Sequence, residues 1–141
     1  MLRIIFTLFI LANMIIKDYY QNMRILIVDD TEINLRLMEA VLKPAGYEIL
    51  TDAFGKDSVK TAAKEDLDLI LMDISLPDIN GTEAMMEIRK GKFGNKPIVA
   101  VTAHAMRGDK EKFQAAGFDG YISKPIEIDN TLKVVADLLK K

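Results

Sequence analysis

Five short runs of mostly apolar residues recur along the chain, and each is followed by a segment whose apolar residues return every three or four positions. The runs occupy residues 24–28, 47–53, 67–73, 97–101 and 118–122. The segments that follow them cover residues 31–43, 55–65, 82–90, 106–116 and 128–139. The short apolar runs predict strands, and the longer spacing predicts helices. Strands that alternate with helices predict a parallel sheet with helices on both faces.

The third run is nearly continuous and ends at an acidic side chain. It reads LDLILMD, finishes at Asp73, and is followed by a turn that Pro77 marks. A continuous apolar strand is typical of a position that is covered on both faces. Ligands in open α/β sheets bind at the carboxyl ends of the strands, so Asp73 is the candidate reactive residue.

Polar side chains also follow three other predicted strands. Asp29 and Asp30 come after the first strand, Thr102 after the fourth and Lys124 after the fifth. A parallel sheet brings all of these strand ends to one edge, where the carboxylates repel one another. Mg²⁺ offsets such repulsion through oxygen ligands, and it needs only one or two protein carboxylates.

The same group of residues suits an incoming phosphoryl group. Lys124 supplies a positive charge and Thr102 supplies a hydroxyl donor, which are the groups that stabilise phosphoryl oxygens in a transition state. Asp73 would then act as the nucleophile and form an acyl phosphate.

Composition narrows the class of protein. The 141 residues are enough for one domain, half of them are apolar, and the net charge is −2. This charge, with no cluster of basic residues, argues against a nucleic-acid surface. The chain has no cysteine, which is compatible with a reducing compartment, and we expect a cytoplasmic protein.

Residues 1–22 do not follow the alternating pattern. Residues 4–16 are apolar except for Thr7 and Asn13, and these 13 positions fall short of a membrane span of about 20 residues. A small-residue cleavage site of the signal-peptide type does not follow. We expect the segment to lie outside a functional domain at residues 23–141. It is interpreted as an upstream extension or start-site artefact, a membrane or interfacial anchor, or an extra packed helix.

Several sequence motifs occur together in a recognisable order. They are ILIVDD at 25–30, LILMDISLP at 69–77, NG at 80–81, VAVTAHAM at 99–106, GD at 108–109 and AGFDGYISKPI at 116–126. With these motifs, residues 23–141 resemble a bacterial two-component response-regulator receiver domain of the CheY-like kind. The residues of the later motifs are most similar to those of single-domain DivK-type regulators and of receivers in hybrid histidine kinases. The resemblance implies a flavodoxin-like (βα)5 doubly wound sheet with strand order 2-1-3-4-5.

The resemblance also implies a magnesium-dependent phosphoryl-acceptor site. Asp73 would be the phospho-acceptor. Asp30, Asp73 and the backbone carbonyl of Ser75 would ligate Mg²⁺, and Asp29 would act mainly through water. Ser75 and His104 occupy the two positions that modulate the lifetime of the phosphoryl group in this family, and His104 is assigned no chemistry of its own.

Three further residues complete the implied switch. Thr102 and Lys124 would contact the phosphoryl oxygens, and Tyr121 would change rotamer when Thr102 moves inward. The Lys124–Pro125 bond would be cis, because an X-Pro bond adopts this form at small cost.

The implied function is that of a signalling switch and not of an enzyme with its own substrate. A histidine kinase or a histidine phosphotransfer protein would donate the phosphoryl group in a phosphorelay. Output would pass to a protein partner through the fourth helix, the fifth strand and the last helix, around Met106, Lys110, Tyr121 and Val134. A DNA-binding output domain is not expected, nor is a membrane partner unless residues 1–22 act as an anchor.

Other interpretations stay open from the residues alone. Asp29 and Asp30 are compatible with simple helix capping, and Thr102 and Tyr121 with ordinary strand positions. A receiver fold that only docks partners is a second function. An aspartyl phosphatase or a flavin carrier is a third, although the phosphatase usually has a second Asp where Ser75 stands.

Overall fold

The chain folds around one five-stranded parallel sheet. A computed structural model describes residues 1–21, 23–103 and 107–140. The strands are β1 Arg24–Val28, β2 Glu48–Asp52, β3 Leu69–Asp73, β4 Ile98–Thr102 and β5 Gly120–Ser123. They lie in the order β2-β1-β3-β4-β5, and every neighbouring pair is parallel. The predicted flavodoxin-like strand order is confirmed.

Helices follow the strands as the spacing of apolar residues predicted. They are α1 Leu2–Gln21, α2 Glu32–Leu42, α3 Gly55–Lys64, α4 Gly81–Arg89, α5 Asp109–Ala116 and α6 Ile128–Leu139, with a short 3₁₀ turn at Lys43–Ala45. The helix predicted over residues 106–116 is described from Asp109, directly after Gly108, whose φ of 96° is left-handed. Residue 106 lies outside the described part of the chain.

The sheet has an apolar core on each of its two faces, which is what a doubly wound fold requires. Successive residues of β1 point to opposite faces. Ile25 and Ile27 join a cluster with residues of α2 and α6. Leu26 and Val28 join a second cluster with residues of α3, α4 and α5. Every residue of β3 and β4 is buried, so these central strands are covered on both sides.

Strand register fixes which residues meet at the carboxyl edge of the sheet. Asp73 at the end of β3 pairs with Val101 of β4. Thr102 at the end of β4 pairs with Ser123 of β5. The polar residues that end or follow β1, β3, β4 and β5 therefore lie along a single edge.

The apolar N-terminal segment forms a helix of its own. α1 spans 20 residues, and residues 2–16 are all exposed, with Ile4, Phe6 and Phe9 at 64–65%. In the described residues, no helix has both the length and the apolar character needed to cross a membrane.

Candidate functional site

Asp29 is a buried carboxylate that is fixed by the start of α2. It lies directly after β1 with 0% exposure. Its Oδ1 accepts the backbone N–H of Thr31 at 2.8 Å. The side-chain amide of Asn34 lies across the same carboxylate, with Nδ2 3.4 Å from Oδ1 and 3.3 Å from Oδ2. Both oxygens of Asp29 therefore accept hydrogen bonds from the protein.

Lys124 joins two strand ends electrostatically. It follows β5, and its backbone N–H donates to the carbonyl of Thr102 at 2.8 Å. Its Nζ lies 2.9 Å from Oδ2 of Asp29 and 3.2 Å from Oδ2 of Asp73. The lysine side chain is only 17% exposed, so this ammonium is shared by two buried carboxylates. The sequence-predicted convergence of Asp29, Asp73 and Lys124 is observed.

Asp73 lies where burial and neighbouring charges compete. It is 4% exposed, and burial raises the pKa of its carboxyl group. The backbone N–H of Ser75, which donates to Oδ1 at 3.1 Å, and the charge of Lys124 oppose this rise, while the charge of Asp29 adds to it. The pKa of Lys124 is raised, since its bonds to Asp29 and Asp73 outweigh the effect of burial. The structure thus keeps the lysine charged beside the two carboxylates.

Three carboxylates offer a ligand set for a hard cation. Oxygen atoms of Asp29, Asp30 and Asp73 lie within 4.8 Å of one another. Asp30 is exposed, whereas the other two are buried. Mg²⁺ takes oxygen ligands and usually keeps several waters, so a site with two buried carboxylates and one facing solvent fits this ion.

Thr102 and Tyr121 lie on the same face of the sheet. Thr102 is 2% exposed and comes two residues after Ala100, which is opposite Tyr121 in the register. Tyr121 is half-buried and stacks on Phe113 with ring centroids 5.8 Å apart. Burial, with a smaller effect of Asp109, raises the pKa of the Tyr121 hydroxyl. This placement suits the expected coupling of the two side chains, which stays a prediction.

Glycine and asparagine hold the loop that follows Asp73. A Cβ on Gly81 would collide with the backbone carbonyl of Asp73, so only glycine allows α4 to begin this close to the strand end. The Gly81 N–H donates to the carbonyl of Ile74 at 2.9 Å. Asn80 caps α4 by accepting the N–H of Glu83 at 2.9 Å. The turn that Pro77 marks is therefore a tightly held segment.

Two residues near the site were not found by sequence reasoning. Asn34 contacts Asp29, and Asp78 accepts hydrogen bonds from the backbone of Gly55 and Lys56. Asn34 follows Asp29 by five positions and lies one turn into the predicted helix. This spacing is a local signal that could have indicated its contact with Asp29. The partners of Asp78 lie more than 20 positions earlier in the chain, and no local pattern indicates them.

Two other expectations concern the neighbourhood of Lys124 and Thr102. The Lys124–Pro125 bond is cis, as predicted. His104 and Met106 lie outside the described residues.

Comparison with known proteins identifies the family. The profile of the response regulator receiver domain matches residues 25–136. The polar-differentiation response regulator DivK of Brucella ovis is 34% identical over 116 residues, which cover 82% of this chain and 94% of that protein. DivK of Brucella anthropi has the same identity and coverage.

Solved structures agree with this result. The receiver domain of the sensor histidine kinase PA1611 from Pseudomonas aeruginosa, which has a magnesium ion in its active-site cleft, is 34% identical with a TM-score of 0.77. The match covers 84% of this chain and 98% of that one. A CheY-like receiver domain from Methanospirillum hungatei is 31% identical with a TM-score of 0.76, and the match covers 84% and 94% of the two chains. Fold, strand-end residues and sequence profile together show that this chain belongs to the response-regulator receiver domain family of two-component systems.

Proposed function

We propose that the chain is a single-domain response regulator that accepts a phosphoryl group on Asp73. The contact that carries this proposal is that of Lys124 Nζ with both Asp29 and Asp73, at 2.9 and 3.2 Å, beside the exposed Asp30. The match with DivK of Brucella ovis covers 94% of that protein, which supports a DivK-like function.

The proposed reaction is transfer from a phosphohistidine of a kinase or phosphotransfer protein. A carboxylate oxygen of Asp73 forms a bond to phosphorus as the phosphorus–nitrogen bond breaks, and the electron pair returns to the imidazole of the donor. Lys124 places a positive charge against the transferred oxygens, and the Thr102 hydroxyl donates a hydrogen bond to them. Hydrolysis of the acyl phosphate restores Asp73 and releases inorganic phosphate.

Mg²⁺ would be held by Asp30, Asp73 and the backbone carbonyl of Ser75. When bound, this ion neutralises charge on the phosphoryl oxygens and on the crowded carboxylates. Asp29 would act through water, because its oxygens already accept hydrogen bonds from Thr31, Asn34 and Lys124.

Exposed apolar side chains flank the site and suit a docking partner. Ile33 on α2 is 73% exposed and Ile128 at the start of α6 is 58% exposed. α2 begins two residues after Asp30, and α6 begins four residues after Lys124. Both helices begin at the carboxyl edge of the sheet, where Asp73 ends β3, so we assign the phosphoryl-donor contact to this face.

The switch would pass from the phosphoryl group to the face made by α5, β5 and α6. A new negative charge at Asp73 draws on Lys124 and Thr102, and it shifts a two-state equilibrium that includes Tyr121. A concave region of this face is lined by Lys110, Tyr121 and Val134 among others, and it would bind the downstream protein.

Residues 23–141 are proposed to form the functional domain. The family profile starts at residue 25 and β1 starts at Arg24, whereas residues 2–16 of α1 are exposed. We infer that α1 lies outside this domain, as an upstream extension or start-site artefact, or as an anchor if its apolar side chains meet a membrane.

The experiment that tests the function is an intact-mass measurement after incubation with acetyl phosphate. We expect the wild-type chain to gain one phosphoryl group with MgCl₂ and none with EDTA. Asp73→Asn should gain none, and the matched control Asp137→Asn, an exposed position on α6, should behave like wild type. Equal labelling of Asp73→Asn and wild type would overturn the proposal.

A further inference from the structure

Asp78 makes an unusual connection between the loop after Asp73 and a neighbouring helix. Its Oδ1 accepts the N–H of Gly55 at 2.9 Å, and its Oδ2 accepts the N–H of Lys56 at 2.8 Å. These two N–H groups belong to the first turn of α3, where backbone donors have no partner within the helix. Phe54 at the N-cap provides no side-chain cap, so a residue 22 and 23 positions away in sequence caps α3.

Electrostatics favours this contact. The backbone N–H of Lys56, with smaller contributions from other backbone N–H groups, lowers the pKa of Asp78 to about 2. A helix N-terminus also carries a partial positive charge that attracts a carboxylate. Asp78 is therefore ionised at any pH near neutrality and keeps both bonds.

Apolar packing supports the same contact. A Cβ on Gly55 would lie 2.7 Å from Cγ1 of Ile79, so glycine is needed for α3 to approach this loop. Ile79 packs against the buried cluster on the α3 and α4 face of the sheet. The loop is thus attached to α3 by a carboxylate and by its neighbouring side chain.

The contact of Asp78 with α3 lies between two other contacts, which hold the two ends of the loop next to the site. At one end, the Ser75 N–H donates to Oδ1 of Asp73. At the other end, Asn80 caps α4 and the Gly81 N–H returns to the carbonyl of Ile74. Asp78 fixes the middle of the loop, three residues after Ser75, to a helix that contributes no residue to the site.

We propose that Asp78 is a positioning residue that sets Mg²⁺ affinity by fixing the backbone of the loop from Ser75 to Asn80. The proposal rests on the proposed function, in which the Ser75 carbonyl is a metal ligand. A backbone ligand cannot be corrected by a change of rotamer, and Mg²⁺ demands near-ideal octahedral geometry. Residues that support metal ligands typically change affinity by about 10- to 100-fold when they are removed.

The test compares Asp78→Ala with a control that weakens α3 without touching the loop. Ala63→Gly is suitable because Ala63 is exposed in the last turn of α3, at the end far from the loop, and glycine is a poorer helix former than alanine. Mg²⁺ affinity is measured by isothermal titration calorimetry on the full chain, and stability by urea denaturation followed by circular dichroism. Labelling by acetyl phosphate is measured as a function of Mg²⁺ concentration.

We expect Asp78→Ala to bind Mg²⁺ about tenfold more weakly, at the lower end of the range for such residues. Its labelling should need about tenfold more Mg²⁺ and should approach the wild-type rate at saturation. Asp78→Asn keeps one acceptor oxygen, so its Mg²⁺ affinity should fall between those of the wild type and Asp78→Ala. Ala63→Gly should lose stability while its Mg²⁺ affinity stays unchanged.

Two outcomes separate this proposal from the proposed function. If Asp78→Ala and Ala63→Gly lose the same stability and both keep wild-type Mg²⁺ affinity, Asp78 is only a helix cap and the inference is wrong. If the wild-type chain binds Mg²⁺ and Asp78→Ala weakens it, but acetyl phosphate labels neither protein, the inference stands and the proposed phosphoryl transfer fails.

Discussion

Replacing Lys124 by methionine tests whether one ammonium holds the acidic site together. Methionine keeps most of the length and apolar stem of lysine but removes the charge. In the wild type, Nζ contacts Asp29 at 0% exposure and Asp73 at 4% exposure. The variant leaves two buried carboxylates close together without their shared cation.

The expected cost follows from these contacts. At an effective dielectric constant of about 20, each contact near 3 Å provides roughly 5 kcal/mol of direct attraction. Desolvation of the buried charges cancels much of this gain, and removal of one partner from a buried pair typically costs about 3–5 kcal/mol. Because the Lys124 side chain retains 17% exposure, we expect the lower value, about 3 kcal/mol of lost unfolding free energy.

Urea denaturation followed by circular dichroism measures this loss, first with EDTA and then with MgCl₂. In MgCl₂ the deficit of Lys124→Met should shrink, because a bound cation replaces part of the missing charge. Lys43→Met is the control, since Lys43 is 57% exposed and forms a surface pair with Glu39, which is worth about 0.5 kcal/mol or less. A loss for Lys124→Met no larger than that of the control, in EDTA, would refute the electrostatic account of the site.

Four further predictions follow from particular contacts. Thr131→Val should stabilise the chain by about 1 kcal/mol in urea denaturation, because the Thr131 hydroxyl is buried and has no hydrogen-bond partner among the described residues; a destabilised variant would contradict this. Arg89→Ala should lower the unfolding free energy in urea denaturation by about 2 kcal/mol, and Arg89→Lys by nearly as much. The planar guanidinium of Arg89 donates to the carbonyls of Gly94, Lys96 and Gly117 and to Asp119, and a lysine ammonium does not reproduce this set of bonds. Full rescue by Arg89→Lys in the same assay would contradict this reasoning. Asp78→Asn should flatten the acid limb of the stability curve, measured as the urea midpoint between pH 4 and 2. The pKa of Asp78 is lowered to about 2, so its contribution to stability is present above the unfolded pKa of about 3.9 and is lost as the pH falls toward the folded value. An unchanged acid limb would contradict the contact. Deletion of residues 1–22 should change the unfolding free energy by less than about 0.5 kcal/mol, because residues 2–16 are exposed; a larger loss would show that α1 packs on the domain.

The parts of the site that sequence predicted are those that a parallel sheet brings together by itself. Asp29, Asp73, Thr102 and Lys124 end or follow strands that share one edge, so identifying the strands was enough to group these residues. The alternation of strands and helices likewise predicted the layers of the fold.

Other features depend on contacts between distant segments, which no local pattern encodes. The Asp78 carboxylate meets α3 at Gly55, and Arg89 reaches Asp119 thirty positions later. Asp119 also accepts the N–H of Ile98, so its side chain is engaged outside the strand. β5 begins directly after this residue, at Gly120 and not at the predicted residue 118.

In the proposed reaction, Asp73 itself becomes the acyl phosphate. Borohydride reduces an aspartyl phosphate to homoserine, so reduction after incubation with acetyl phosphate and MgCl₂, followed by peptide mass spectrometry, locates the modified residue. We expect homoserine at position 73 and at no other aspartate. Homoserine at Asp29, Asp30 or elsewhere, or a phosphorylated chain with Asp73 intact, would contradict the proposed reaction.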